Sequence, residues 1–237
     1  MGRPLKRQWS VVAAAVLAAS APLWAGPSSQ VAWTLATVRL VRAGNAQHGK
    51  ALNKDCVDCH GPAGNIDTPE VPDLAGQNPL YTFKQLADYK AKLRTSDIMN
   101  DAVASLSERD MADLAAFYAA QPAHRPTPLQ ASAAAEKLAV VGDGQRLIPA
   151  CDACHGDGGS GNSSFYGMPS LRSQKSVDLS AELKAFRSGQ RGNDVYRVMR
   201  DVAARLTDAE IDALAAYYAG PAPVATPAAA PAKAEKK

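Results

Sequence analysis

The sequence predicts an all-α protein made of two tandem domains of one fold. Three observations support this class. One pattern of residues occurs twice along the 237-residue chain. Apolar residues in both copies recur at spacings of three and four. No stretch shows the sustained alternation of apolar and polar residues that a half-buried β-strand requires. We therefore expect helices in both copies and no sheet.

The repeat consists of three blocks in the same order: a Cys-x-x-Cys-His segment, a proline-containing segment that ends in glutamine, and a segment that ends in two aromatic residues. The blocks occupy 56–60, 71–77 and 106–118 in the first copy and 151–155, 168–174 and 206–218 in the second. The cysteines are offset by 95 residues and the last blocks by 100, so five residues are inserted in the second copy. Two domains of one fold follow.

Prolines at positions 122, 126 and 128 interrupt any helix between the copies and mark a linker. The predicted segments are a signal peptide 1–25, an N-terminal extension 26–42, a first domain 43–122, a linker 123–133, a second domain 134–220 and a disordered Ala/Pro/Lys tail 221–237. The tail is assigned because it has no apolar periodicity and few large side chains.

Residues 1–25 combine a basic start, about 13 apolar residues and small residues near their end, which is typical of a secretory leader. The apolar stretch is shorter than the ~20 residues that span a bilayer as a helix, so retention as a membrane anchor is the weaker alternative. Cleavage after Ala25 is favoured over cleavage after Ala21, which would place Pro22 next to the cut. We expect an exported protein.

Charge argues against a nucleic-acid partner. The formal net charge is +3, but Arg3, Lys6 and Arg7 lie in the leader, and the rest of the chain holds 23 basic and 23 acidic residues. It also lacks a run of five or more Lys or Arg. A near-neutral chain has no basic excess to neutralise phosphates.

Helices are predicted in the same order in each copy. A short segment precedes the cysteines (49–55 and 145–150), and a longer helix with apolar residues at spacings of three and four follows them (80–93 and 179–188). The last helix of each copy begins with a capping pattern, Ser107-x-x-Asp110 or Thr207-x-x-Glu210. Its apolar face carries Leu114, Phe117 and Tyr118 in the first copy and Leu214, Tyr217 and Tyr218 in the second.

The Cys-x-x-Cys-His segments are typical of c-type haem attachment, in which two cysteines bond the haem vinyl groups and the histidine faces the iron. A thioredoxin-like dithiol belongs to a βαβ context, which is absent here. Zinc sites typically space their Cys pairs by about 15 to 20 residues, whereas 91 residues separate Cys59 from Cys151. Disulfides would not explain a histidine in both copies. We predict two covalent haem groups, one on Cys56 and Cys59 and the other on Cys151 and Cys154.

Each haem iron needs a second axial ligand besides His60 or His155. The other histidines, His48 and His124, have no histidine at the matching place of the other copy. Ligation by two histidines in both sites is therefore disfavoured, which leaves methionine as the soft ligand.

Four methionines are candidates, and the repeat separates them. Met99 and Met199 occupy matching positions, 39 and 44 residues after the haem histidine. Met111 and Met168 match an isoleucine and a valine, so apolar packing explains them better. We assign Met99 to the haem of the first domain and Met199 to that of the second. A thioether favours ferrous iron and fills its coordination sphere, which suits electron carriage and argues against catalysis.

Pro72 and Pro169 follow the haem histidines by 12 and 14 residues. A backbone carbonyl at that place is suited to accept the imidazole N–H, which raises the basicity of the ligand. Loop stiffening is the alternative interpretation.

The attachment segments, the Val-Pro-Asp-Leu-Ala-Gly-Gln segment and the last helices together resemble the diheme class I cytochromes c of the cytochrome c4 family, over residues 43–220. The resemblance implies a periplasmic protein of two cytochrome c folds that face each other. It implies His/Met ligation of each haem, with the carbonyls of Pro72 and Pro169 holding the imidazoles.

The function expected from these features is single-electron transfer between a quinol-oxidising complex and a terminal oxidase or reductase, without enzymatic activity. One alternative is the cytochrome subunit of a sulfide- or alcohol-oxidising dehydrogenase. Another is a diheme peroxidase, which needs an open or labile sixth position on one iron.

The extension 26–42 is not needed by the two-domain pattern. It carries Trp33, Leu35, Val38 and Leu40. Packing on the first domain is the favoured interpretation, and an amphipathic helix for a membrane surface or a partner protein is the alternative.

Overall fold

The structure, a computed structural model, describes residues 29, 31, 33–123, 132–161, 167–172 and 174–219. The predicted signal peptide, most of the predicted linker and the predicted tail lie outside these residues. In the described part of the chain, the only β-type pairing is an isolated bridge between Asp143 and Ile148. The predicted all-α class is confirmed.

The predicted longer helix and the predicted last helix are present in both repeats. The first repeat and the extension before it contain α1 (Leu35–Arg42), α2 (Ala46–Leu52), α3 (Val57–His60), α4 (Pro79–Lys90), α5 (Asp97–Ala102) and α6 (Glu108–Ala119), with a 3₁₀ turn at Asn53–Asp55. The second repeat contains α7 (Ala133–Val140), α8 (Cys151–His155), α9 (Ser176–Ser188), α10 (Val198–Ala203) and α11 (Asp208–Ala219), with 3₁₀ turns at Asp157–Gly159 and Val195–Arg197. The two predicted helices are α4 and α6 in the first repeat and α9 and α11 in the second.

The last helix of each repeat, α6 or α11, begins with the predicted cap. Ser107 Oγ accepts the N–H of Asp110 at 3.1 Å, and the Asp110 carboxylate accepts the N–H of Ser107 at 2.9 Å. Thr207 and Glu210 make the same reciprocal pair at 3.3 and 2.9 Å. These bonds satisfy donors that a helix N-terminus otherwise leaves unpaired. The predicted apolar face is buried at Leu114, Phe117, Tyr118, Leu214, Tyr217 and Tyr218.

The segment before the second attachment site corrects the prediction, because residues 145–150 contain no helix and residues 144–147 form a turn. Backbone hydrogen bonds of 2.8 and 2.9 Å join Asp143 and Ile148 and enclose this turn. The Asp143 carboxylate also accepts the N–H groups of Gln145 and Arg146 at 3.0 and 3.2 Å. A side-chain acceptor of this kind competes with helix formation.

Helix α7 was not predicted from the sequence. It packs on α11, and its Ala135 and Ala139 are fully buried in the core of the second domain. Their small side chains allow the two helices to approach closely. Ala133, where α7 begins, lies at the end of the predicted linker.

The extension packs on the first domain through α1. Val38 and Val41 are buried in one cluster with Leu80 and Met111, whereas Leu35 points to solvent and is 65% exposed. None of the described helices is both long and apolar enough to cross a membrane.

Gly49 marks the closest approach of α2 to α6. A Cβ at this position would lie 2.1 Å from the carbonyl oxygen of Asp113 and 2.8 Å from the Cβ of Phe117. Because a helix backbone cannot move aside freely, we expect Gly49→Ala to lower the free energy of unfolding by about 1 to 3 kcal/mol, measured with denaturant.

The repeat offers a matched control for this substitution. Gly144 is offset from Gly49 by the same 95 residues as the cysteines, and a Cβ on it would meet no atom within 4 Å. We expect Gly144→Ala to change stability by no more than about 0.5 kcal/mol. Equal losses in the two variants would contradict the close packing of α2 on α6.

Candidate haem-binding site

One cavity of about 1150 Å³ lies between the two domains and is lined by residues of both. Its wall is rich in leucine, valine and aromatic side chains. All ten residues predicted for the haem sites lie on it: Cys56, Cys59, His60, Pro72, Met99, Cys151, Cys154, His155, Pro169 and Met199. The fold thus brings the equivalent residues of both repeats to one continuous space.

No disulfide joins Cys56, Cys59, Cys151 or Cys154. Burial raises the pKa of Cys56, and it raises the pKa of Cys151 to about 11. Thiols spaced as Cys-x-x-Cys before a histidine are the groups that bond haem vinyl carbons.

Each attachment segment is a short helix, α3 or α8, that ends at a glycine. Gly61 and Gly156 have φ of +74° and +80°. A Cβ on either glycine would lie 2.2 or 2.5 Å from a backbone carbonyl oxygen. Glycine at this position therefore lets the chain turn sharply directly after the histidine, which leaves the imidazole facing the cavity.

Both histidines are buried and donate a hydrogen bond from Nδ1 to a proline carbonyl. The distance is 3.1 Å from His60 to Pro72 and 2.9 Å from His155 to Pro169. Burial lowers the pKa of both imidazoles, although the carbonyl acceptor opposes this effect. Each imidazole is thus neutral with its proton on Nδ1, so Nε2 is the nitrogen suited to bind a metal.

The proline carbonyls are held in place by the loops that carry them. The carbonyl of Gly64 accepts two N–H groups of the loop after Pro72, at 2.7 and 3.1 Å. The carbonyl of Gly159 does the same for the loop after Pro169, at 2.8 and 2.9 Å. Tyr118 of α6 packs directly on Gly64, and Tyr218 of α11 packs directly on Gly159. The last helix of each repeat thus fixes the acceptor of the haem histidine.

The predicted methionine ligands lie in short helices that face the cavity. Met99 belongs to α5, whose cap residue Ser96 accepts the Met99 N–H at 3.3 Å, and Met199 belongs to α10. Met111 is buried in the core of the first domain, as expected for a packing residue. Met168, also interpreted as packing, lies on the cavity wall.

The remaining histidines are separate from this site as far as the structure describes them. His48 Nδ1 lies 2.8 Å from Asp113 Oδ2, and its side chain is 49% exposed. His124 lies outside the described residues.

The wall between the domains also carries a charged network that sequence reasoning missed. Arg94 donates to Gln85 at 2.9 Å and pairs with Glu182, while Arg191 donates to Glu182 at 2.6 Å and to Gln85 at 3.1 Å. Burial alone would raise the pKa of Glu182, but the charges of Arg191 and Arg94 outweigh it and hold that pKa low. Burial raises the pKa of Asp178 to about 6, and the charge of Glu182 adds to this rise.

The residues on this wall fit haem. The thiols are suited to bond its vinyl groups, and the neutral imidazoles and the thioethers are suited to bind its iron. The guanidinium groups of the arginines are suited to pair with its carboxylates. A signal for the arginines was present in the sequence, since Arg94 and Arg191 are related by the offset of 97 that relates the second blocks of the repeat.

Comparison with known proteins agrees with this chemistry. The family model described as cytochrome c matches residues 46–120 and 141–219. Cytochrome c4 from Thiocapsa roseopersicina is 39% identical over 184 residues, which cover 76% of this chain and 94% of that protein. The thiosulfate dehydrogenase electron acceptor of Stutzerimonas stutzeri (strain A1501) is 37% identical over 169 residues, covering 69% and 77%. The crystal structure of reduced recombinant cytochrome c4 from Pseudomonas stutzeri superposes with a TM-score of 0.70 at 34% identity, covering 75% of this chain and 99% of that one.

These matches show that the chain belongs to the cytochrome c family. Each matched range contains one Cys-x-x-Cys-His segment. Within the family the chain is a diheme cytochrome of the c4 group, so it is an electron-transfer protein with two covalently bound haem c groups.

Proposed function

We propose that this protein is a periplasmic electron carrier in which a histidine and a methionine ligate each haem iron. The attachment residues are Cys56 and Cys59 in the first domain and Cys151 and Cys154 in the second. The axial pairs are His60 with Met99 and His155 with Met199. The observation that carries the proposal is that equivalent residues of both repeats line one continuous cavity.

Haem, when bound, supplies an iron that takes up and releases one electron. The chain's own residues set the conditions for this step. The carbonyls of Pro72 and Pro169 orient the imidazoles and raise their basicity. The sulfurs of Met99 and Met199 would hold the iron together with the imidazoles and would favour its reduced state. Because residues of both sites line one cavity between the domains, two bound haems would lie next to each other there.

Two partner assignments are supported to different degrees. A quinol-oxidising complex as donor, with a terminal oxidase or reductase as acceptor, fits a free carrier. The relative named thiosulfate dehydrogenase electron acceptor favours a second candidate, in which this chain is the cytochrome subunit of a dehydrogenase. That candidate predicts co-purification with a larger catalytic chain. A diheme peroxidase fits less well, since paired methionines leave no open iron position.

Export to the periplasm is supported by the leader-like pattern of residues 1–25. Peripheral association with the membrane is the remaining alternative for localisation.

A spectroelectrochemical titration of the mature protein tests the ligation. We expect two one-electron steps at positive potential, each accompanied by loss of its share of the far-red iron–sulfur absorption of the ferric state. A strongly negative step, or a ferric high-spin haem without that absorption, would show that a methionine assignment is wrong and would reopen a catalytic role.

A further inference from the structure

The two proline loops meet at the domain interface, and each is held by a glutamine from the other domain. Gln174 Oε1 accepts the N–H of Asp73 at 3.1 Å, and its Nε2 donates to the carbonyl of Asp73 at 2.7 Å. Gln77 Oε1 accepts the N–H of Ser170 at 2.8 Å, and its Nε2 donates to the carbonyl of Ser170 at 3.0 Å. Both glutamines are at least nine-tenths buried.

These contacts obey the internal repeat. Gln77 and Gln174 are the last residues of the matching blocks 71–77 and 168–174, and Asp73 and Ser170 each follow the proline of their block. The interface is therefore reciprocal, since each domain supplies one glutamine and one proline loop. Buried amide side chains with both polar atoms bonded hold such an interface in one arrangement.

Two residues next to the glutamines make further hydrogen bonds to the proline loop of the other domain. Lys175 Nζ donates to the carbonyl of Val71 at 2.7 Å, and Asn78 Nδ2 donates to the carbonyl of Met168 at 3.0 Å. Val71 and Met168 are again equivalent in the repeat. The backbone on both sides of each proline is thus fixed by the opposite domain.

The peptide group between Pro72 and Asp73 connects the haem histidine of the first domain to the glutamine of the second. Its carbonyl accepts the hydrogen bond of His60, while its N–H donates to Gln174. Hydrogen bonds at the two ends of one peptide group polarise each other, so donation to the glutamine makes the carbonyl a stronger acceptor. A stronger acceptor raises the basicity of the imidazole and favours ferric iron.

We propose that each glutamine is a positioning residue for the haem of the other domain. Gln174, in the second domain, acts on His60 in the first, and Gln77 acts in the same way on His155. This inference rests on the proposed ligation of the irons by His60 and His155. It makes the domain interface a determinant of both reduction potentials.

The test replaces each glutamine by leucine in the full-length diheme protein. Leucine has no Oε1 to accept the N–H that follows the proline of the other domain. The carbonyl of that proline then becomes a weaker acceptor for the haem histidine, and the haem of the other domain becomes easier to reduce. We expect Gln174→Leu to raise the equilibrium constant for reduction of the first-domain haem about three- to tenfold, where tenfold corresponds to about 59 mV for one electron. Gln77→Leu should do the same for the second-domain haem only.

Potentials are assigned to domains by an NMR redox titration that follows the axial methionine methyl group of each haem. Gln145→Leu serves as the control, because Gln145 is exposed and lies away from the cavity wall. Gln→Asn variants at 77 and 174, whose amides are one methylene too short, give a second pair with the same expected pattern if a leucine variant does not fold.

A shift in the reduction potential of only the haem in the domain opposite the substitution, in both variants, supports the inference. Shifts confined to the haem of the mutated domain, equal shifts of both haems in both variants, or no shift beyond that of Gln145→Leu would overturn it. A wild-type protein without two His/Met spectra would instead overturn the proposed ligation, so the two failures are distinguishable.

Discussion

Met199→Ala is expected to leave the second-domain haem high-spin in its ferric state, with about half of the far-red absorption of the protein lost. Met199 lies on the cavity wall in α10, and alanine at this place offers no atom that can bind iron. The iron then loses the ligand that favours its reduced state. We expect its potential to fall by on the order of 0.1 V or more, within the roughly 0.8 V that axial ligands control.

The same result is expected for Met99→Ala in the first domain. Ferric absorption spectra and a redox titration of each variant measure both effects. Cyanide binding provides a further readout, because only the haem with the vacated position should bind it rapidly. The untouched haem in each variant is an internal reference.

Met111→Leu is the control for replacing a methionine. Met111 is buried in the core of the first domain, and exchange of Met for Leu in a core usually costs less than about 1.5 kcal/mol. Both potentials should stay at their wild-type values. A Met199→Ala protein that keeps its full far-red absorption would refute the assignment and direct attention to Met168, which also lies on the wall.

The internal repeat explains why so much of the site was predictable from one sequence. Met99 alone would be read as a packing residue, but its counterpart at 199 makes a shared role the better explanation. Pro72 and Pro169 illustrate the same point, since both carbonyls accept a hydrogen bond from the haem histidine of their own domain. Helix caps such as Ser107 with Asp110 are local signals and were equally readable.

The repeat fails where its two copies differ in local chemistry. In the first copy, residues 49–55 belong to α2 and the 3₁₀ turn that follows it. The matching region of the second copy contains Asp143, whose carboxylate closes a turn. Helix α7 then takes up the packing against α11 from an earlier position in the chain. Sequence periodicity could not show this, because the competition is decided by one side chain.

Contacts between the domains were beyond sequence reasoning for a different reason. Gln77 and Gln174 appeared only as the final letters of a repeated block, and nothing local indicates that each reaches a backbone 93 or 101 residues away. The same holds for the pairing of Arg94 with Glu182. Such pairs depend on how two folded units meet, which is a property of their surfaces and not of their periodicity.

Removal of both attachment cysteines of one domain should have the largest effect on the fold. In the Cys151→Ser/Cys154→Ser protein we expect one covalent haem instead of two, and a second domain that no longer folds independently of added haem. The reason is the size of the cavity, about 1150 Å³ for the two domains together. Without haem, the large apolar side chains that line the second-domain half of this cavity would stay exposed to water, and each costs about 1.5 to 3 kcal/mol relative to burial, against a total stability of about 5 to 15 kcal/mol for a domain.

The mass of the denatured chain counts covalent haems directly, and far-UV circular dichroism with limited proteolysis reports the fold of each domain. The Cys56→Ser/Cys59→Ser protein is the mirror variant, and it should retain the second haem and lose the first. Single Cys154→Ser keeps one thioether and should hold its haem more weakly. Two haems in the denatured Cys151→Ser/Cys154→Ser chain would mean that these cysteines are not the attachment points. A full loss of both haems would mean that the two sites mature as one unit.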